Sequence, residues 1–167
     1  TEKTAKLLTD EYENAESDPV DGKFEYVYNR EDLAFLAGRK YHAKRNHVAK
    51  FDKNYSAVYT EITKENVDLL KDAAKHRYRL IEGSPDDEFT AINEAIAHFD
   101  ELSLRACVIS VDGRTVAYSI GSMINGDTAD IHFEKADRSF EGSYAKVNKS
   151  FAENAFADAL YLNREED

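Results

Sequence analysis

The sequence is poor in the residues that hold small proteins together covalently. Its 167 residues include one cysteine, Cys107, so an intramolecular disulfide is excluded, and no CxxC pair or Cys/His cluster offers a zinc site. None is required, because a chain near 150 residues buries roughly 70% of its unfolded surface. Tryptophan is absent and proline occurs twice. Apolar runs stay far below the roughly 18 residues of a membrane span, and the N-terminus lacks a basic-then-apolar leader. Membrane insertion and secretion are not expected, and the lone thiol suits a reducing cytoplasm.

Acid is what the sequence has in excess. A net charge of −11 with 42% hydrophobic residues describes an acidic globular protein of one domain. The average hides a reversal between Leu36 and Asn54. There Arg39, Lys40, Lys44, Arg45, Lys50 and Lys53 face a single acid, Asp52, so this stretch carries +5 and the rest of the chain −16. A basic island on an acidic protein is a candidate anion site, whereas general affinity for nucleic acid needs wider positive potential. Thr rather than Met at position 1, and the abrupt acidic end Asn163-Arg164-Glu165-Glu166-Asp167, fit a segment of a longer chain.

Residues 1–22 read as a polar lead-in, with a marginal helix from Thr4 to Ala15 packing through Leu7 and Leu8. Residues 23–167 read as the folded domain. Lys23 to Asn29 alternates with Phe24, Tyr26 and Tyr28 on one face, a short strand. From Arg30 the spacing turns helical, through Leu33, Leu36, Tyr41, Val48 and Phe51, with Gly38 a candidate break. Tyr55 to Ile62 is a second strand. Thr63 offers an N-cap to a helix carrying Val67, Leu70 and Ala74. Ser84-Pro85-Asp86-Asp87 starts another, whose Phe89, Ile92, Ile96, Phe99 and Leu102 share a face. Ala106–Val111, Thr115–Ile120 and Ala129–Lys135, joined by Asp112-Gly113 and Asn125-Gly126, form a three-strand meander. Ser143 is a candidate cap for a helix bearing Tyr144, Val147, Phe151 and Ala155, and Leu160–Leu162 is a last strand.

The order of these elements, with two helices between the first and second strands of the series and one between the fourth and fifth, resembles the GNAT acyltransferase fold. The predicted class is therefore α+β, a GNAT-like mixed sheet with an antiparallel meander flanked by helices. Four segments carry a narrower resemblance: Tyr26-Val27-Tyr28-Asn29-Arg30-Glu31-Asp32-Leu33, Gly38 to His47, His132-Phe133-Glu134-Lys135-Ala136-Asp137, and Asn163 to Asp167. Together they resemble the DUF2156 family, related to the C-terminal domain of phosphatidylglycerol lysyltransferases. The resemblance implies that this chain is the C-terminal half of a tandem of two GNAT-like halves, with further residues after the fifth strand of the series. It implies acyl or aminoacyl transfer from an acyl-CoA or an aminoacyl-tRNA to an amine or hydroxyl, without a metal. A noncatalytic domain that recognises a small anionic ligand stays open beside it.

Candidate site residues follow. On the basic helix, Lys44 falls within the apolar sector of Tyr41, Val48 and Phe51, with Arg45 at its edge. Either Lys44, Arg45 and His47 bind a phosphate or carboxylate of the substrate, or they snorkel and pair with surface acids. On the third meander strand, alternation puts Asp130, His132 and Glu134 on one face, with neighbours of that set about 7 Å apart. Transfer to an amine requires a proton acceptor, which the resemblance locates near this strand, so Glu134 or His132 is the expected base; an ordinary exposed polar face is the other reading. Arg138 to Tyr144 is the counterpart of the family's phosphate loop, with Gly142 as central glycine and Ser143 after it. Arg138 is one residue early and Tyr144 replaces a small residue, so the match is degraded. Asn163, Arg164 and Glu165 match the family's segment at the cleft, against the alternative of a solvated tail. Cys107 reads as a small core residue and receives no nucleophilic role.

Overall fold

The computed structural model describes residues 2–12, 14–18, 25–80 and 86–165. Along the chain come α1 (Glu2–Glu11), β1 (Val27–Asn29), α2 (Arg30–Phe35), a 3-10 turn (Arg39–Tyr41), α3 (His42–Asn54), β2 (Ala57–Ile62), α4 (Asp68–Leu80), α5 (Asp86–Ala97), β3 (Arg105–Val111), β4 (Arg114–Met123), β5 (Thr128–Ala136), α6 (Ser143–Asn154) and β6 (Tyr161–Asn163). The strands form one sheet in the order β1-β6-β5-β4-β3-β2. Among the described residues only β5 and β6 run parallel; all other neighbours are antiparallel. This is a mixed α+β domain with an antiparallel meander flanked by helices, consistent with a GNAT-like fold.

Each face of the sheet buries its own core. Leu33, Phe51, Ile109, Val147, Phe151 and Leu162 join α2, α3 and α6 to one face. Leu70, Ile92, Ile96, Val108 and Ile120 join α4 and α5 to the other. The hairpin between β3 and β4 is set locally: Asp112 and Gly113 take φ of 50° and 77°, the left-handed pair that matches the twist of a two-residue turn. Asn125 closes the next turn, its Oδ1 accepting from the N–H groups of Asp127 at 2.9 Å and Thr128 at 2.8 Å.

Several boundaries differ from the sequence expectation. Helix α1 ends at Glu11 and leaves Leu7 and Leu8 exposed, so it does not pack through them. The strand expected from Lys23 is β1, Val27–Asn29, while residues 23 and 24 lie outside the described residues, as do Ser84 and Pro85 of the proposed helix start. Gly38, at φ 84°, does separate two helices, and Leu36, at φ 52°, shares that task. Thr63 is not a helix cap. Its N–H donates to Asn66 Oδ1 at 2.7 Å while Asn66 Nδ2 donates to the Glu61 carbonyl at 2.9 Å, and this closed turn delays α4 to Asp68. Leu102 leaves the α5 stripe because the helix ends at Ala97 and the following turn carries it outward, 54% exposed.

The decisive departure is a bulge. Strands β4 and β5 pair Ile120 with Phe133 and then Gly121 with Ile131, leaving His132 as an extra residue on β5. Gly121 permits the close approach there: a Cβ on it would lie 2.3 Å from the Asp130 carbonyl oxygen and 3.2 Å from the Phe156 ring. Before the bulge, Ala129 and Ile131 face the α6-side core; after it, Ala136 does, and Phe133 packs on the α4/α5 side. Asp130, His132 and Glu134 therefore do not share a face. The alternation that predicted it holds only for an unbroken ladder.

Candidate functional site

Strands β5 and β6 are paired through three registers, Thr128 with Tyr161, Ala129 with Leu162 and Asp130 with Asn163. β5 then continues to Ala136 while β6 stops, so the two part and leave a notch in the sheet. On the α6 side this notch opens into a cleft of about 530 Å³ lined by Lys44 and His47 of α3, Glu134 of β5, Arg138, Gly142, Ser143 and Tyr144 at the entry to α6, Asn148 of α6, and Arg164 just after β6. The Glu134 side chain is only 8% exposed, and Arg164 Nη2 donates to its Oε1 at 3.0 Å. Asn148 Nδ2 reaches the other carboxylate oxygen at 3.4 Å. A buried carboxylate needs such partners, because burial without them costs several kcal/mol. The cleft thus combines a compensated buried acid, Glu134, and the exposed Glu141, paired with Lys50, with lysine, histidine and arginine at its walls.

The loop that leads into α6 is organised by the buried Asp137. Its Oδ2 accepts from Arg114 Nη2 at 2.9 Å, and its Oδ1 accepts from both the N–H and the hydroxyl of Ser139. Ser143 donates its hydroxyl to the Asp137 carbonyl at 2.8 Å, so it is the first helical residue tied backward and not a side-chain cap; Gly142 holds the cap position at φ 89°. The N–H groups of Asp137, Ser139, Phe140 and Ser143 all bond within the protein. Those of Tyr144 and Ala145 stand at helix positions that have no intrahelical acceptor. Gly142 also lets α3 approach, since a Cβ there would meet the His47 carbonyl oxygen at 2.3 Å. Arg138 stacks over the Tyr144 ring at 5.9 Å. Phe140 anchors the loop against Tyr55, ring centroids 5.1 Å apart.

The opposite face of the same notch is built differently. His132 Nε2 shares a 2.8 Å hydrogen bond with Ser122 Oγ. Its Nδ1 lies 3.6 Å from Asp130 Oδ2 and 3.7 Å from Glu165 Oε1. Burial, with Glu165 and Glu25 adding to it and His132 opposing, holds the Asp130 carboxyl above the usual aspartate range. Ser122, His132 and Glu165 border a depression of about 640 Å³ whose other wall is α5 with Leu102 and Leu104.

This geometry can be set beside known proteins. The family described as phosphatidylglycerol lysyltransferase, C-terminal, matches residues 1–165. The chain belongs to that family. Among solved structures it is similar to a conserved protein of unknown function from Bacteroides thetaiotaomicron VPI-5482, at 37% identity and a TM-score of 0.75 over 88% of this chain and 52% of that one. It also resembles the C-terminal DUF2156 domain of a protein named as a lysylphosphatidylglycerol synthetase from Agrobacterium fabrum, at 13% identity and a TM-score of 0.57 over 84% of this chain and 45% of that one. The chain spans about half the length of these solved relatives. No curated protein matches it. Among the described residues, no helix is long and apolar enough to cross a membrane.

Within this domain, the cleft gathers eight of the residues singled out from sequence: Lys44, His47, Glu134, Arg138, Gly142, Ser143, Tyr144 and Arg164. Four fall elsewhere. Arg45 turns away from the cleft and donates to the carbonyls of Leu36 and Gly38, the latter at 2.6 Å, bracing the turn before α3. Asn163 is 3% exposed; its amide donates to Glu25 Oε2 at 2.9 Å and accepts from the Glu165 N–H at 3.2 Å. His132 and Glu165 face the α5-side depression. Cys107 is buried and its thiol is pushed up to about 12, chiefly by desolvation, in keeping with a core role. Asn148, Asp137 and Ser122 were not singled out. Asn148 follows Tyr144 by one helical turn, a spacing that offers the only sequence signal for it.

Proposed function

We propose that this domain transfers an aminoacyl group from a phosphate-bearing donor to a hydroxyl or amine, with the cleft on the α6 side of the notch as the donor site. The observation that carries this reading is the buried carboxylate of Glu134, set in a notch between parting strands with Lys44, His47, Arg138 and Arg164 along the same cleft. Family membership supports aminoacyl chemistry at the level of the family. Cationic side chains suit phosphates of the donor, and the two N–H groups at the start of α6 add a helix dipole of the right sign. Between the two donors weighed from sequence, aminoacyl-tRNA is favoured over acyl-CoA. In the loop that cradles a pyrophosphate in GNAT-type sites, the N–H groups of Ser139, Phe140 and Ser143 here bond to Asp137 and Phe140, and Gly142 admits α3 in place of a ligand.

In the proposed step the acceptor oxygen or nitrogen attacks the carbonyl carbon of the aminoacyl ester. Its proton passes to Glu134, the ester C–O bond breaks, and the proton returns to the departing ribose oxygen. Arg164 and Asn148 are positioning residues that hold Glu134 at the reacting atoms. A domain of comparable size elsewhere in the full-length protein is proposed to supply the acceptor side.

A second reading is favoured by the Glu134 ion pair itself, which leaves the carboxylate engaged: the domain binds an anionic ligand without turnover. Full-length protein separates them. Aminoacyl-tRNA should bind with an affinity that falls steeply with salt, and Glu134→Gln should keep that binding while lowering kcat by about 100-fold or more. Binding with no transfer in the wild-type protein establishes the second reading. No donor response from aminoacyl-tRNA, acetyl-CoA or a longer acyl-CoA rejects both.

A further inference from the structure

The α5 side of the notch carries chemistry that the proposed transfer does not use. Asp130 and His132 come from β5, His132 being the extra residue of the bulge, and Glu165 follows β6, which is registered beside β5 with Asn163 opposite Asp130. One donor atom from each of the three lies within 4.8 Å of the other two. The separations of 3.6 and 3.7 Å from His132 Nδ1 to the carboxylates are too long for hydrogen bonds. They are close to the edges of a coordination polyhedron, about 3.0 to 3.4 Å when each ligand stands about 2.1 Å from a shared ion. We propose that Asp130, His132 and Glu165 bind a divalent first-row transition cation, of the Zn²⁺ or Mn²⁺ class, on the face of the sheet opposite the transfer cleft.

Four further observations point the same way. Asp130 Oδ1 is buried with no hydrogen-bond partner, a deficit that a cation would satisfy. The charges acting on Asp130 are His132 and two further carboxylates, Glu165 and Glu25, so the site gathers more negative charge than its imidazole balances. Ser122 fixes the imidazole through Nε2 and leaves Nδ1 turned to the carboxylates, the orienting contact that ligating histidines characteristically make. Glu165 is held in the left-handed region at φ 50°, its N–H on Asn163 and its carbonyl receiving the Tyr26 N–H, and a non-glycine residue kept there by its surroundings is a mark of functional constraint. The donor set of one nitrogen and two carboxylate oxygens fits the borderline cations better than Ca²⁺, which takes six to eight oxygens. The Ser122, His132, Asp130 order also resembles a nucleophilic triad. Glu165, as near to Nδ1 as Asp130 is, has no place in a triad and a natural one as a third ligand.

The test uses full-length protein stripped with a chelator and titrated with Co²⁺, followed by its visible ligand-field absorption, and with Zn²⁺, Mn²⁺, Mg²⁺ and Ca²⁺ by calorimetry. One Co²⁺ or Zn²⁺ per chain should bind, with Mg²⁺ and Ca²⁺ weaker by at least about tenfold. His132→Gln and Glu165→Gln should each weaken binding at least about 100-fold, and Ser122→Ala about 10-fold to 100-fold. His98→Gln, which alters another histidine bordering the same depression, should leave it unchanged. Glu165 lies beyond the last strand, so its variant keeps the test valid if His132→Gln misfolds. Absence of stoichiometric binding at about millimolar cation, or binding indifferent to both ligand variants, overturns the proposal. The readout is binding, so it stands or falls apart from the transfer reaction.

Discussion

The two faces of the β5/β6 notch hold the same kinds of side chain under opposite electrostatic regimes. On the α6 side a buried carboxylate, Glu134, meets a guanidinium at 3.0 Å and an amide beyond it. On the α5 side three carboxylates, Asp130, Glu165 and Glu25, act around one imidazole, and one oxygen of Asp130 has no partner. Consecutive residues Arg164 and Glu165 serve opposite faces, in the turn that follows β6. Compensation within the protein stabilises a charge where it stands. A deficit of compensation leaves the position to be completed by something that binds.

The largest expected effect comes from breaking the compensated side. Arg164→Ala leaves Glu134 buried and should cost about 3 kcal/mol in urea denaturation, with Arg164→Ala/Glu134→Gln recovering more than half of it. Full additivity of the two single variants would mean that the pair is not coupled. Next is the glycine that lets the faces separate. Gly121→Ala drives a Cβ into the Asp130 backbone and should cost about 3 kcal/mol with loss of the bulge, visible as shifted amide resonances for residues 130–134. Gly142→Ala, with both a positive φ and the His47 carbonyl against it, should cost about 2 kcal/mol and weaken donor binding in the cleft.

The uncompensated side predicts a change of opposite sign. With its pKa raised in the folded state, Asp130 binds its proton more tightly there than in the unfolded chain, so its contribution is favourable in acid and is lost as pH rises through the raised value. Metal-free Asp130→Asn should therefore melt slightly higher than wild type at pH 7, with the gap closing below the unfolded aspartate value. A lower melting temperature at pH 7 would show that the carboxylate is already compensated. Smallest is Lys50→Ala, which removes an exposed pair with Glu141 linking α3 to the loop before α6. At 58% and 56% side-chain exposure this should leave the urea denaturation midpoint unchanged within error.

Much of the architecture was legible because its signals are local. The Asp112-Gly113 turn and the Leu70 and Ile92 stripes each follow from residues a few positions apart. The site was legible in part for the same reason: Lys44 and His47 sit one turn apart, and Gly142 adjoins its helix. What failed required partners distant in sequence. The bulge at His132 depends on Gly121 of the neighbouring strand, Arg45 is consumed by carbonyls seven and nine residues behind it, and Asn163 is held by Glu25, 138 positions away. Asn66 overrode the Thr63 cap with two hydrogen bonds that no helix propensity contains.

The pairing of β1 with β6 has a consequence in time. Tyr26 exchanges backbone hydrogen bonds with Arg164 and Glu165, the two residues that serve the opposite faces of the notch, so both are fastened by a segment from the other end of the chain. Closing so long a loop is among the slowest contacts to form. On a ribosome, residues 25–29 are made more than a hundred residues before their strand partner, at about residues 161–165. Both candidate sites thus receive their β6-side residues, Arg164 and Glu165, through one and the same long-range closure.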